Sequence, residues 1–481
     1  MKLRRGWSRY RRAGQESDQD QDPPIPGVDH GWAWMVCLGA HLGHVFNLGY
    51  FSALGVFYIA WKEYFDTSAT ASSWLLSLPW LAAAPFSPIM GVLAPRLGIR
   101  RVSMVGGALN GLSTILGSLA NELWQLYLCG ILSGIAMAMI VPPGLIMLTR
   151  YFKKRYTFAN GLCIVGVSVG QMVFPPLIRL LIAIYGWRGA MFVIGAIQLN
   201  SIAACALFRP LKTKSDTEPG QTTSLEMEVM YSGGVARTEN QGTENKGTEI
   251  RSALKEAFAY LRNFTNVSFS LSLIVLFLYS MGWIMNLSHL PSRATEAGWS
   301  ENQGAVLLTV FAAVAMSTRV LHGWLVVCGL VGMGGFRLQF GTLAGAALAT
   351  FLNPVSDSYG FLVGYAVLLG ASLGIASPLL VANIKKLVRE AEIPLTMSWT
   401  VATLSFAHGT GSVAAGKIHD LTGNYTAAFI TAGGIFVAAL LVLILVVFLN
   451  KRQKDTPSVD AVPNATQLSG PRFSHAQCNA V

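Results

Sequence analysis

Long apolar runs separated by short polar segments recur along most of this 481-residue chain. Many of the runs reach the length of about 20 residues that an α-helix needs to cross the hydrocarbon core of a bilayer. The pattern predicts twelve such helices, six before and six after a long polar stretch. We therefore expect an all-α membrane protein built from two six-helix bundles.

Changes in polarity along the chain set the predicted domain boundaries. The two bundles are flanked and joined by segments rich in charged and small polar residues, which are typical of disordered tails and linkers. The predicted parts are a cytoplasmic tail 1–28, an N-terminal bundle 29–208, a cytoplasmic linker 209–262, a C-terminal bundle 263–449 and a cytoplasmic tail 450–481.

Composition excludes several other classes of protein. Only 12% of residues are charged and the mean hydropathy is +0.48, which argues against one water-soluble core. The net charge of +11 comes without an aromatic-interleaved basic patch, so we expect no nucleic-acid partner. Six scattered cysteines without CxxC spacing predict neither a disulfide framework nor a zinc site. No nucleophile–base pair or phosphate loop stands out, so we expect neither an enzyme nor a bound cofactor.

The distribution of Lys and Arg predicts the orientation in the membrane. Most of them fall in the N-terminal tail, in the segments after the even-numbered helices and in the C-terminal tail. The segments on the other side hold only Lys62, Arg188, Arg293 and Lys417. Because Lys and Arg accumulate on the cytoplasmic side, both termini are predicted to be cytoplasmic, which requires an even number of spans.

The eighth predicted helix, 303–325, carries a single cation, Arg319. A cation at this depth costs about 2.5–3.5 kcal/mol on insertion scales, and none of the predicted spans supplies an Asp or Glu to neutralise it. Our hypothesis is that Arg319 binds a small anionic substrate, since a guanidinium holds a carboxylate with two hydrogen bonds. The alternative is that Arg319 reaches the cytoplasmic interface or pairs with backbone carbonyls.

Other polar residues within predicted helices are candidates for the substrate path. Asn47, Tyr50 and Tyr279 are expected either to line a cavity or to form hydrogen bonds between helices. His44 in the first helix and His408 in the eleventh titrate in the useful range and are candidates for proton coupling. The alternative for each is a neutral, hydrogen-bonded packing residue.

Three motifs carry a resemblance to a known superfamily and to a family within it. The loop 91–101, Gly-Val-Leu-Ala-Pro-Arg-Leu-Gly-Ile-Arg-Arg, resembles the signature of the major facilitator superfamily, with Pro95 at the place of its customary Asp. Residues 29–34 resemble the start of helix 1 in the monocarboxylate transporter family (solute carrier family 16), and residues 151–155 with the following helix resemble its basic loop and glycine-spaced fifth helix. The matching positions are Asp29, Gly31, Trp32, Trp34, Tyr151, Phe152, Lys153, Lys154, Arg155, Gly161, Gly166 and Gly170.

The resemblance implies a major facilitator fold, a plasma-membrane location and carriage of a monocarboxylate or related small metabolite. It also implies a partner, because members of the family often associate with a single-pass glycoprotein chaperone. Within the motifs, Lys153, Lys154 and Arg155 are expected to form an inner gate or only a topology signal. The pair Gly166 and Gly170 is a GxxxG face that permits close helix packing.

Two departures from the proton-coupled members concern the mechanism. Those members have an Asp one turn before their helix 8 Arg, where this chain has Ala315, and a Lys in helix 1, where it has Ser52. We therefore predict that the protein is not a standard proton–lactate symporter and that its substrate is a small organic anion or zwitterion, with Ser52 among the lining residues. The alternatives are a carrier of neutral or aromatic solutes with a structural Arg319, and a non-transporting sensor or scaffold.

Overall fold

A computed structural model describes residues 28–211, 255, 267–327, 335–385, 387–388 and 392–455. Most of the predicted linker 209–262 and of the predicted tails 1–28 and 450–481 lies outside the described residues. The described residues form helices without any strand, in two groups separated by the linker. This arrangement agrees with the predicted pair of bundles.

The first group contains six helical segments, α1 to α6, in chain order. Helix α1 is bent by 45° between Trp32–Ala53 and Gly55–Phe65 and contains a π-helical turn, Val45–Gly49. The stretch Tyr156–Gln198 is interrupted at Gly186, whose φ is 67°, so it makes up α5 and most of α6. The other segments are α2 (Ala69–Leu97), α3 (Ile99–Gly117), α4 (Leu123–Tyr151) and the last turn of α6 (Ser201–Ala206).

The second group contains six more helices, α7 to α12. They are α7 (Val267–Glu296), α8 (Glu301–Val327), α9 (Gly335–Leu352), α10 (Tyr359–Lys385), α11 (Ile393–Thr422) and α12 (Thr426–Asp455). By length and apolar character, seven helices of the described chain could cross a membrane, or eight with the bent α1, where α5 and α6 count as one. The twelve segments are consistent with twelve spans.

Proline residues disturb the helices less than the sequence suggests. We expected Pro142 and Pro143 to break α4, which is wrong, because the helix is continuous from Leu123 to Tyr151. Helix α2 likewise continues past Pro95 to Leu97, so the segment 91–101, expected to be a loop, lies in α2 and α3, and only Gly98, with a φ of 95°, separates the two helices. In an apolar environment, neighbouring helices and side chains take up the backbone groups that a proline frees, so the helix persists.

Helices α7, α8 and α11 extend further than predicted, and their ends carry acidic residues. The expectation that no Asp or Glu lies in a membrane helix therefore holds only for their central parts. Glu301 begins α8, Glu296 ends α7, and Asp420 lies in the last turn of α11. At the start of α8, Glu301 is 18 residues from Arg319, or about 27 Å along a helix.

Each half has its own apolar core, and the halves meet along two pairs of helices. One cluster of buried side chains joins α1 to α6 and the other joins α7 to α12, with a few α11 residues reaching the first cluster. Helix α2 packs against α11, and α5 packs against α8. These contacts place Arg319, which bonds from α8 to α5, near the plane between the halves.

Candidate functional site

Arg319 lies buried between the two halves. Only 2% of its surface is exposed, so the side chain does not reach an interface with water. Its Nη1 donates to the backbone carbonyl of Ile164 at 3.3 Å and to Oγ of Ser168 at 2.6 Å, both in α5. Nε has no hydrogen-bond partner. Within the described part of the chain, no carboxylate forms an ion pair with Arg319.

Two candidate residues approach Arg319 from other helices. Tyr279 of α7 and His44 of α1 are both near enough to interact electrostatically with the guanidinium. The Tyr279 hydroxyl donates to the carbonyl of Leu373 at 3.3 Å. His44 is 4% exposed, and its Nδ1 lies 2.8 Å from the carbonyl of Ala40 and 3.3 Å from Sγ of Cys163. Helices α1, α5, α7 and α8 therefore converge on one buried polar region.

The remaining candidates in α1 have partners within the first half. Asn47 is fully buried in the π-helical turn, and its Nδ2 donates to Oδ1 of Asn110 at 3.1 Å. The Tyr50 ring packs edge-on against Phe174, with ring centroids 6.0 Å apart. Oγ of the half-buried Ser52 donates to the carbonyl of Leu48 at 2.8 Å, as hydroxyls in helices often do.

His408 of α11 lies between two tryptophans from different halves. Trp80 of α2 meets it edge-on with ring centroids 4.4 Å apart, and Trp283 of α7 stacks on it at 4.8 Å. Nδ1 of His408 and Oγ of the buried Ser405, one turn away, have no hydrogen-bond partner. His408, in this aromatic slot between Trp80 and Trp283, is a second buried polar side chain between the halves.

The two family motifs pack against each other. Asp29 is buried, and its carboxylate accepts hydrogen bonds from the backbone N–H of Lys154 and of Arg155, each at 3.1 Å. Its own N–H donates to the carbonyl of Tyr151 at 2.8 Å. The start of α1 therefore caps the loop before α5, where the side chains of Lys153, Lys154 and Arg155 are exposed.

Aromatic residues of the same motifs extend this junction to the end of α6. Trp34 packs edge-on against Phe152 at 5.1 Å between ring centroids. Trp32 donates from Nε1 to the carbonyl of Leu207 and lies under the guanidinium of Arg209 at 3.7 Å. Tyr151 donates from its hydroxyl to the carbonyl of Arg209 at 2.9 Å. The motif residues thus have contacts that fix the ends of α1, α4, α5 and α6 together.

The motif glycines differ in how tightly they are packed. A Cβ at Gly166 would overlap the carbonyl oxygen of His41, and one at Gly170 would lie 2.6 Å from Cα of Gly49. The close packing that the GxxxG pattern predicts is observed here, between α5 and α1. At Gly161 a Cβ would meet no atom within 4 Å. Gly31 begins α1 with a φ of 55°.

An open cavity of ≈ 510 Å³ lies between the halves at the end of the molecule that carries Glu63, Asp66, Glu296, Glu301 and Asp420, which we call the acidic end. The basic end, opposite to it, carries Arg96, Arg100, Lys153, Lys154 and Arg155. The cavity is lined by residues of α1, α7, α8 and α11 and of the turns after α1 and before α12, which include Tyr58, Lys62, Glu63, Asp66, Ser292, Glu296, Glu301, His419 and Tyr425.

Polar contacts of Asp420 and of Arg179 help to hold the halves together at the acidic end. The Asp420 carboxylate of α11 accepts from the backbone N–H of Thr70 at 3.0 Å and also from its hydroxyl. Arg179 of α5 forms an ion pair with Glu301 of α8. At the basic end, Nζ of Lys385 lies 3.4 Å from the ring centroid of Tyr156, again across the halves.

Some of these residues have no sequence signal that we recognised. Ser168 and the Ile164 carbonyl are identified only by the packing of α5 on α8, and Trp80 and Trp283 only by their contacts with His408. The acidic end does have a signal, since Glu63, Asp66, Glu296 and Glu301 all flank predicted turns on the side that is poor in Lys and Arg.

Comparison with known proteins places the chain in a family. The sequence model of the Major Facilitator Superfamily matches residues 40–352 and 337–475. Monocarboxylate transporter 13 of Rattus norvegicus is 32% identical over 424 residues, which cover 88% of this chain and 90% of that protein. Monocarboxylate transporters 11 and 2 of Homo sapiens are 28% and 27% identical; each alignment covers 88% of this chain and, respectively, 84% and 87% of the relative.

The fold and the matched length define a major facilitator transporter, which is not an enzyme. Within that superfamily, the chain belongs to the monocarboxylate transporter family. The predicted all-α major facilitator fold and the predicted family are therefore confirmed.

Proposed function

We propose that the protein moves a small monocarboxylate or a related zwitterionic metabolite across the plasma membrane by alternating access. Both termini face the cytoplasm in this proposal, as the distribution of Lys and Arg predicts. The names of the relatives support the substrate class, since each is a monocarboxylate transporter. The family resemblance adds a single-pass glycoprotein chaperone as a proposed partner.

The observation that carries the proposal is Arg319, buried between the halves without a carboxylate partner in the described residues. A guanidinium has five N–H donors, and the two hydrogen bonds of Arg319 both start from Nη1. An unpaired buried cation is costly, so an anion that forms a bidentate pair with it gains a strong interaction. We assign Arg319 to the substrate carboxylate and Tyr279 to the same site, because Tyr279 interacts with the guanidinium from the neighbouring helix α7.

The contacts of Arg319 also support alternating access. Arg319 belongs to the second half, and both its hydrogen bonds go to α5 in the first half. A substrate carboxylate that takes over the guanidinium weakens this link between α5 and α8. Binding at the plane between two halves that rock against each other is the general scheme of such carriers.

The proposed mechanism differs from that of a proton–lactate symporter. Ala315 is fully buried one turn before Arg319 and cannot titrate, and Ser52 has no amine. Two histidines that the sequence suggests for proton coupling are buried in this region: His44, beside Arg319, and His408, between Trp80 and Trp283. They are the proposed positions for proton coupling if uptake depends on pH.

A metabolite uptake screen in oocytes at pH 6 and pH 7.5 tests the proposal. We expect uptake of at least one small carboxylate or zwitterion, and a loss of about tenfold or more with Arg319→Ala, since one buried charged contact contributes several kcal/mol. Lys417→Ala, which removes an exposed cation from α11, is the matched control and should leave uptake unchanged. Strong acid-driven lactate uptake that disappears with Arg319→Ala would contradict the proposed lack of proton symport.

A second candidate is a carrier of neutral or aromatic solutes, in which Arg319 is structural. The hydrogen bonds of Arg319 to Ile164 and Ser168 favour this view, as does the aromatic slot of Trp80 and Trp283. The same screen separates the two candidates. Uptake of a neutral solute that survives Arg319→Ala at normal surface expression would support the second candidate and overturn the first.

A further inference from the structure

A buried carboxamide in α5 has no hydrogen-bond partner in the described part of the chain. Gln171 is only 4% exposed, and neither its Nε2 nor its Oε1 forms a hydrogen bond with any described residue. The side chain carries both N–H donors and a carbonyl acceptor. A polar group that is buried without partners is costly, and most such groups in proteins are paired. Gln171 therefore has the character of a group that waits for a ligand.

Gln171 lies on the side of α5 that faces the interior of the molecule. Val173 and Leu180, which are 46% and 57% exposed, mark the outward-facing side of the same helix. At about 100° per residue, both lie roughly 160–180° around the helix from Gln171. Ser168, which accepts a hydrogen bond from Arg319, precedes Gln171 by three residues, and side chains at this spacing are neighbours with Cβ atoms about 5–6 Å apart.

The carboxamide and the guanidinium lie on either side of one polar position. Helix α5 begins at Tyr156, beside the basic end, and carries Arg179 at the acidic end, so Gln171 lies one turn nearer the acidic end than Ser168. A molecule whose carboxylate is bound at Arg319 meets Gln171 if it extends toward the acidic end. An ammonium group only donates hydrogen bonds and a keto group only accepts them, whereas a hydroxyl does both and can satisfy both atoms of the carboxamide.

We propose that Gln171 is a specificity-determining residue of the Arg319 site and binds a hydroxyl group that the transported carboxylate carries a few bonds from its charge. This inference rests on the proposed function, in which Arg319 holds the carboxylate. A site that forms hydrogen bonds with a hydroxyl rejects an analogue with a methyl group there, because its own polar group then stays buried and unpaired.

Binding of hydroxy acids and their methyl analogues to purified protein tests this role. The pairs are 3-hydroxypropionate with butyrate and 4-hydroxybutyrate with pentanoate, and the members of each pair differ only in a hydroxyl and a methyl group. By isothermal titration calorimetry, we expect the hydroxy acid of at least one pair to bind about tenfold more tightly, since its analogue loses the bonds to Gln171.

Gln171→Met keeps the length of the side chain and removes both polar atoms. It should abolish the preference for the hydroxy acid, and it should leave the melting temperature of the free protein equal or higher, because the unpaired buried group is gone. Val173→Met is the matched control, since it places the same residue on the outward-facing side of α5. It should leave the affinities and the preference unchanged.

Gln171→Glu tests the distance between residue 171 and Arg319. The carboxylate that this substitution introduces competes for the guanidinium, so the affinity for all four acids should fall about tenfold or more. Unchanged affinities in Gln171→Glu would mean that residue 171 does not reach the Arg319 site. A lower melting temperature of Gln171→Met would show that the carboxamide stabilises the free protein. Either result would overturn the inference.

The same titrations separate this inference from the proposed function. Equal affinities within both pairs, or a preference that survives Gln171→Met, would overturn the role of Gln171 and keep the carrier if Arg319→Ala abolishes binding. A preference that disappears with Gln171→Met but survives Arg319→Ala would keep Gln171 and overturn the assignment of Arg319. If none of the four acids binds, the hydroxyl site is overturned, whereas uptake of another carboxylate or zwitterion in the wider screen would keep the carrier.

Discussion

Two buried charges, on Asp29 and on Arg319, have partners of very different kinds. The carboxylate of Asp29 accepts two backbone N–H groups at the start of α5, so its charge is stabilised by charge-assisted hydrogen bonds. Arg319 donates only to a hydroxyl and a carbonyl, neither of which is charged. Asp29 is therefore satisfied within the fold, whereas Arg319 retains both charge and donors for another group.

The role of Asp29 as a cap predicts a loss of stability in Asp29→Asn. The amide keeps one acceptor but turns an NH₂ group toward a backbone N–H, which costs about 1–2 kcal/mol. Residue 29 has a φ of 61°, which Asn tolerates, so the substitution adds no backbone strain to the loss of the hydrogen bond. We expect a lower apparent melting temperature in detergent.

Asp66→Asn is the matched control for this substitution. Asp66 also has a positive φ, of 46°, but it is exposed and accepts no hydrogen bond that the structure records. Its replacement should leave the melting temperature nearly unchanged. Equal melting temperatures of Asp29→Asn and the unmodified protein would refute the capping role.

At the scale of helices, α5 is shaped to fit α1. Gly49, the last residue of the π-helical turn Val45–Gly49 in α1, lies against Gly170 of α5. Gly166, one turn earlier in α5, lies against the His41 carbonyl. The backbones of α1 and α5 are so close at these two contacts that a side chain has no room between them. This is the usual reason for small residues where membrane helices pack together.

The glycine strip predicts a sharp contrast between neighbouring substitutions. Gly170→Ala puts a methyl group 2.6 Å from Cα of Gly49, so the helices must move apart, at a cost of about 1–3 kcal/mol for overpacking. Gly161→Ala in the same helix meets no atom within 4 Å and gains helix propensity. Size-exclusion chromatography should show less folded protein for Gly170→Ala alone. Equal yields would mean that α1 and α5 are not tightly packed there.

Sequence patterns predict the existence of the helices better than their ends. Apolar runs identify the spans because every backbone polar group must be satisfied inside the bilayer. The end of α2 was misplaced at Pro95 and a break in α4 was wrongly expected at Pro142 and Pro143, because rules for proline derived from water-exposed helices fail there. Burial of Arg319 was predictable from its position, but Ser168, 151 residues away, becomes its partner only through the packing of α5 on α8.

At the scale of the whole molecule, the halves touch at both ends. Tyr156 of the first half contacts Met397 and Lys385 of the second at the basic end. Thr70 and Arg179 of the first half bind Asp420 and Glu301 of the second at the acidic end. In the proposed alternating access, the contacts at one end must break while the contacts at the other end hold. The contacts at the acidic end therefore set part of the energy difference between the two open forms.

Charge reversal of the Arg179–Glu301 pair tests this balance. The two side chains are 33% and 38% exposed, so the pair contributes up to about 1 kcal/mol, which corresponds to a several-fold change in a two-state population. Arg179→Glu or Glu301→Arg alone should open the acidic end, and the two together should restore it. Spin labels at Glu122→Cys and Asn424→Cys, one on each half, report the opening as longer distances in electron–electron resonance.

Lys417→Glu provides the control, because it reverses an exposed charge in α11 without breaking an ion pair that the structure records. It should leave the distance distribution unchanged. If the single reversals also leave it unchanged, the bonds of Asp420 to Thr70 hold the acidic end closed by themselves. If the double reversal fails to restore the short distance, residues 179 and 301 act through other neighbours rather than through each other. The ion pair between them would then not be what holds the halves together at the acidic end.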